Sequence, residues 1–111
     1  MVPDLDLARI RKWINRRNDD APDGVVNYEL DVSDRAVTVL ECRPPWEPNG
    51  ETAWIRHPVA RFRYTKNRHE WSLYWSDRNL KFHRYDLAAP TPHVETLIAE
   101  VEQDRTALFW G

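Results

Sequence analysis

The sequence predicts an α+β fold: a single antiparallel meander sheet of about five strands, with an N-terminal and a C-terminal helix packed on one face. Three observations predict it. Apolar residues recur at helical spacing near each end of the chain. Between residues 26 and 85 they alternate with polar ones at period two. The segments of that middle region are joined by short turns, which favour antiparallel neighbours.

Leu7, Ile10, Trp13 and Ile14 form one apolar stripe of the first helix. Asp4 is placed to cap it, and Asp4 and Asp6 at its start and Arg16 and Arg17 at its end suit the helix dipole. The run Asn18-Asp19-Asp20-Ala21-Pro22-Asp23-Gly24 ends it. Val26, Tyr28, Leu30 and Val32 then alternate with Asn27, Glu29 and Asp31, Ser33-Asp34-Arg35 turns the chain, and Val37 to Cys42 returns as the hairpin partner. Residues Pro44 to Pro58 carry four prolines, Asn49-Gly50, Trp46 and Trp54, and read as a long loop. Within it, Trp46 and Trp54 either cover one end of the core or meet a partner.

Three strands follow the loop. Ala60, Phe62 and Tyr64 alternate with Arg61, Arg63 and Thr65. Trp71, Leu73 and Trp75 alternate with Ser72, Tyr74 and Ser76, and Leu80 and Phe82 with Lys81, His83 and Tyr85. Lys66-Asn67-Arg68 and Asp77-Arg78-Asn79 are the turns. Thr91 followed by Pro92 is expected to open the second helix, whose stripe is Val94, Leu97, Ile98 and Val101. Leu108-Phe109-Trp110 is expected to tuck against the core.

The 111 residues fit one domain, 1–111. A hydrophobic content of 41% with 31% charged residues and three glycines suits a folded chain. One cysteine, Cys42, allows no internal disulfide and suits a reducing compartment. The first residues lack the basic-then-apolar order of a signal peptide, and no apolar run approaches the ~20 residues of a membrane span. The expectation is a cytoplasmic protein with no membrane partner.

The net charge of −2 hides a strong asymmetry. Arg56 to Asp86 holds seven aromatics, eight Lys or Arg and three His against three acids. Basic residues interleaved with flat rings suit an anionic, stackable partner. If both helices cover one sheet face, Phe62, Tyr64, Trp71, Leu73, Trp75 and Phe82 are buried there. The other face then presents Arg61, Arg63, Thr65, Ser72, Tyr74, Lys81, His83 and Tyr85. The candidate binding residues are Arg61, Arg63, Tyr74, Lys81, His83 and Tyr85, with Trp46 and Trp54 of the loop. The partner they suit is single-stranded nucleic acid or an acidic protein. Glu29, Asp31 and Glu41 on the same face would instead turn Arg61 and Arg63 into a neutral ion-pair ladder.

His57, His69, His83 and His93 show no metal-ligand spacing, and three isolated glycines make no phosphate loop. No metal and no cofactor are predicted. His83 is the one candidate catalytic residue. With Arg61 and Arg63 holding a phosphate and Tyr85 nearby, it would serve a small metal-independent ribonuclease. A protein-protein or homodimer module, using the loop tryptophans or a free sheet edge, is the other alternative. Cys42 reads as a buried thiol, unless Arg43 beside it lowers its pKa.

Several blocks together resemble a known family. They are Arg43-Pro44-Pro45-Trp46, Ala60-Arg61-Phe62-Arg63-Tyr64, Trp71-Ser72-Leu73-Tyr74-Trp75-Ser76-Asp77-Arg78-Asn79, His83-Arg84-Tyr85-Asp86 and Leu108-Phe109-Trp110-Gly111. The chain resembles an uncharacterised bacterial family of short, stand-alone proteins that carry a domain of unknown function. The likeness spans nearly the whole chain. It implies a bacterial, cytoplasmic, single-domain protein and supplies no activity, substrate or catalytic residue.

Overall fold

Apolar stripes at both ends of the chain need a sheet face to cover, and the computed structural model shows how they find it. It describes residues 1–45 and 54–110. The elements run α1 (Asp4–Asp20), β1 (Asn27–Val32), β2 (Ala36–Arg43), β3 (Ile55–Thr65), β4 (Glu70–Ser76), β5 (Phe82–Arg84) and α2 (Val94–Gln103). The strands form one antiparallel sheet in the order β1-β2-β3-β4-β5, the expected meander. Ile10, Trp13 and Ile14 of α1 and Val94, Leu97 and Val101 of α2 share a core with Val37, Val39, Phe62, Trp71 and Leu73. Both helices therefore lie on one face, and Trp13 meets Phe62 edge-on at 6.0 Å.

The helix starts differ from those expected. Pro3 rather than Asp4 is the N-cap of α1, and its carbonyl accepts from Leu7 N at 3.0 Å. Asp4 is then the first helical residue, where its charge still favours the dipole. Thr91 does not cap α2. Its main chain pairs with Trp71 in an isolated bridge, Thr91 N to Trp71 O at 3.0 Å and Trp71 N to Thr91 O at 2.7 Å. That extended conformation delays the helix to Val94, with His93 as N-cap. The bridge continues the outer side of β4 beyond the short β5.

The stretch expected as a loop to Pro58 also ends earlier. Residues 55–58 belong to β3 and pair with β2, while 46–53, with Trp46, lie outside the described residues. Proline is tolerated here for two reasons. The register shifts between Val39 and Leu40, so that Val39 faces Ala60 and Leu40 faces Pro58, with Val59 left over as a bulge and buried. The β4 partners begin only at Ala60, so Pro58 has a neighbouring strand on one side alone.

The C-terminus folds back through Asp104, the left-handed C-cap of α2 at φ 44. Its carboxylate accepts from Phe109 N at 3.0 Å and Trp110 N at 2.9 Å. Phe109 is thereby buried against Tyr85, with ring centres 5.0 Å apart, and Trp110 meets Tyr28 edge-on.

Candidate functional site

The face of the sheet away from the helices is built in rows. Asp31, Thr38, Arg61, Tyr74 and Arg84 oppose one another across all five strands. Ala36, Arg63 and Ser72 form the next row. Directly opposed residues in antiparallel strands point to the same side, so these rows share one surface. Arg61, Arg63 and Tyr74, all expected on the open face, are brought together there.

Strand β5 sits one residue out of the expected phase. Ser76 opposes Phe82, Trp75 opposes His83, and Tyr74 opposes Arg84. Phe82 and Arg84 therefore join the open face, whereas His83 and Tyr85 turn to the helix side. The turn sets this register. Asp77 Oδ1 accepts from Asn79 N at 2.8 Å and Lys81 N at 3.0 Å, and Asp77 N donates to Lys81 O. Leu80 takes a left-handed φ of 64 within it. Lys81 is thus an exposed turn residue before β5. Tyr85 is a core residue, 2% exposed, and His83 packs on Trp75 at 4.7 Å between ring centres.

His83 Nε2 donates to Asp77 Oδ2 at 2.7 Å, the ionised carboxylate being able only to accept. That bond, followed by the Lys81 backbone N–H, holds the Asp77 carboxyl below its ordinary range. The constellation of His83 with Arg61, Arg63 and Tyr85 is accordingly not assembled, since two of the four lie on the opposite side of the sheet. Trp54, half-buried, immediately precedes β3.

Arg61 is held on two sides. Its Nε donates to Thr38 Oγ1 at 2.9 Å, and its guanidinium lies over the Phe82 ring at 3.9 Å. Three adjoining clefts surround it and its neighbours. One of about 410 Å³ lies among Arg35, Ala36, Arg61, Arg63, Tyr74 and Phe82. A second, of about 150 Å³, lies among Arg63, Arg68, Glu70, Ser72, Tyr74 and Arg84. A third, of about 190 Å³, lies among Arg35, Arg63, Lys66 and Asn67. Arg63 lines all three. Together the walls carry six cations and a single acid, Glu70.

The expected neutralising acids are engaged elsewhere. Glu29 pairs with Arg56 at 3.3 Å and accepts from Cys42 Sγ at 3.1 Å, and these two bonds, that from Cys42 first, hold its carboxyl below the ordinary range. Glu41 opposes Tyr28 and binds Arg43 Nε at 2.7 Å. Asp31 shares the Arg61 row without forming an ion pair among the described residues. Among the described residues, Arg61, Arg63, Lys66, Arg68 and Arg84 have no acidic partner, and Arg35 meets only Asp34, at 3.9 Å.

Cys42 is 1% exposed, and burial, reinforced by Glu29, pushes its thiol up to about 11. Arg43 points to Glu41 instead of activating it. No group of three His, Cys, Asp or Glu side chains among the described residues could hold a metal ion. Among the described residues, no helix is long and apolar enough to cross a membrane.

Sequence reasoning missed Arg35, Arg68, Arg84 and Phe82. Arg35 and Arg68 fall in turns, where period two carries no information. The Thr38–Arg61–Tyr74–Arg84 row becomes visible only when the β5 register is known.

Comparison with known families adds one match: a model described as Domain of unknown function (DUF3024) covers residues 2–111. The chain belongs to the DUF3024 family. The family description carries no activity, so the DUF3024 match supports the resemblance without assigning a role to the basic face. No curated protein and no solved structure matches the chain.

Proposed function

We propose that the open face of the sheet binds single-stranded nucleic acid. The observation that carries this reading is the group of guanidinium side chains around Tyr74, of which Arg61, Arg63, Arg68 and Arg84 have no acidic partner among the described residues. Arginines bind phosphate oxygens through paired N–H groups, and a half-exposed tyrosine offers a ring on which a base stacks. The face is open rather than a deep groove, which suits splayed bases better than a rigid duplex. The role proposed is one of binding, that of an interaction module.

The test is a titration of short, internally labelled RNA and DNA strands followed by anisotropy at low and physiological salt. Saturable binding that weakens with salt supports the reading. With roughly four phosphates neutralised, log K against log salt should fall with a slope of about −3 for a single strand. No binding at low salt overturns it and turns the search to acidic protein partners.

A further inference from the structure

Resting on the nucleic-acid reading above, we infer that the cleft between Arg35, Arg61 and Arg63 is a subsite for a phosphomonoester, so that the face prefers a strand with a terminal phosphate. Three features of the cleft carry this. Ala36, which lines it opposite Arg63, contributes only a methyl group. The walls bring three guanidinium groups to one space with no acid among them. Arg61 is oriented in advance, because Thr38 holds Nε and the Phe82 ring supports the guanidinium plane.

With Nε engaged, the two Nη groups of Arg61 form a fixed fork, and neither donates to another described residue. A fork of this kind binds two phosphate oxygens at once. A bridging phosphodiester offers two free oxygens and one negative charge. A monoester offers three free oxygens and a charge of about −1.5 to −2 near neutral pH. Three guanidinium groups, of which only Arg35 has an acidic neighbour, the exposed Asp34 at 3.9 Å, match the monoester better. The volume of about 410 Å³ falls in the range of small-ligand sites, enough for the terminal nucleotide as well. One face of Phe82 is already covered by Arg61, so Tyr74 is the ring left for the terminal base. A free mononucleotide carries the same chemistry as a strand end, and both belong in the test.

The experiment compares otherwise identical short strands bearing a 5′-phosphate, a 3′-phosphate or hydroxyl ends, at fixed salt. Adenosine monophosphate and adenosine serve as competitors. One phosphorylated end should bind about tenfold tighter than the hydroxyl strand, and the monophosphate, but not adenosine, should displace it. Ala36→Leu fills the cleft without changing charge, and Arg61→Lys keeps the charge but removes the fork. Both should reduce the preference to about unity. Because Arg61 also belongs to the strand-binding row, the readout for Arg61→Lys is the ratio of phosphorylated to hydroxyl affinity within the variant, whereas Ala36→Leu should keep hydroxyl-strand affinity within about threefold. Equal affinity for phosphorylated and hydroxyl strands overturns the subsite and leaves the nucleic-acid reading standing. A preference that survives Ala36→Leu also overturns it, because the phosphate then sits elsewhere. Failure of every strand to bind removes both proposals.

Discussion

Asn18 holds the main chain of Tyr28 twice. Its side-chain Oδ1 accepts from Tyr28 N at 2.7 Å, and its Nδ2 donates to Tyr28 O at 2.9 Å. One amide near the end of α1 thus occupies both outward groups of an edge-strand residue, as a neighbouring strand would. Unpaired edges invite pairing with another chain. Asn18→Ala should cost about 1–3 kcal/mol, because two half-buried backbone groups lose their partners. Thermal unfolding gives the cost. Amide exchange at Tyr28 should quicken in the variant, and an unchanged rate there would show the bond pair to be dispensable.

A second long-range anchor joins α1 to the sheet. The Trp71 indole is fully buried, and its Nε1 donates to Asp6 Oδ2 at 2.8 Å. Asp6 also receives Arg9 Nη1 at 2.7 Å. Asp6→Ala would leave the indole N–H without a partner, a loss of about 1–3 kcal/mol. Asp6→Asn keeps an acceptor and should lose less. Chemical denaturation distinguishes the two, and equal losses would mean that the charge, not the acceptor, matters.

These anchors explain which parts of the fold can be read from sequence. The helical stripes and the alternation in β3 and β4 are legible because burial repeats within each element. Strand β5 is different. Phe82-His83-Arg84-Tyr85 places an aromatic on either face, so alternation cannot choose between them. The choice falls to the Asp77 turn and to Phe109, which comes from the far end of the chain to meet Tyr85. The extension of β3 through Pro58 is hidden for a similar reason, since the bulge that permits it depends on the β2 register. The alternation in β3 and β4 does place Arg61, Arg63 and Tyr74 on the open face, where the sheet register puts them. Whether acids neutralised that surface depended on where Glu29 and Glu41 found partners.

Acid should loosen the Asp77 turn. The His83 hydrogen bond, then the Lys81 N–H, holds the Asp77 carboxyl below its ordinary value of 3.8. The folded state therefore binds fewer protons than the unfolded state in the acid window. The associated stability is present above the ordinary value. It is lost as pH falls through that value and then through the lower folded one. Asp77→Asn removes the titrating group, so its melting temperature should fall less steeply below about pH 5 than the parent's. Parallel acid limbs would exclude the turn as a source of the pH dependence.

Cys42 should be a poor nucleophile despite being the sole thiol. Burial first, then the bond to Glu29, raises its pKa from 9.0 to about 11. At pH 8 the thiolate is about a hundredfold scarcer in the folded protein than in the unfolded chain, before access is considered. A thiol-disulfide reagent should react slowly with native protein and at once after denaturation. The raised value also means that the folded state keeps a proton the unfolded state releases. Stability should therefore decline as pH rises from about 9 towards 11. Rapid labelling of native protein at pH 8 would contradict both statements.

Charge and stacking on the open face make separable contributions, and two substitutions tell them apart. Arg63 lines all three basic clefts and has no acidic partner among the described residues. Arg63→Gln should weaken strand binding most at low salt and reduce the magnitude of the salt slope by about 0.7, the value for one lost phosphate contact. Tyr74 sits between two of those clefts. Tyr74→Leu should cost about 1–3 kcal/mol of binding at every salt concentration and leave the slope unchanged, because a stacked base releases no counterion. Tyr74→Phe should retain most of the affinity. If the tyrosine variant altered the slope and the arginine variant did not, the strand would not lie across this face.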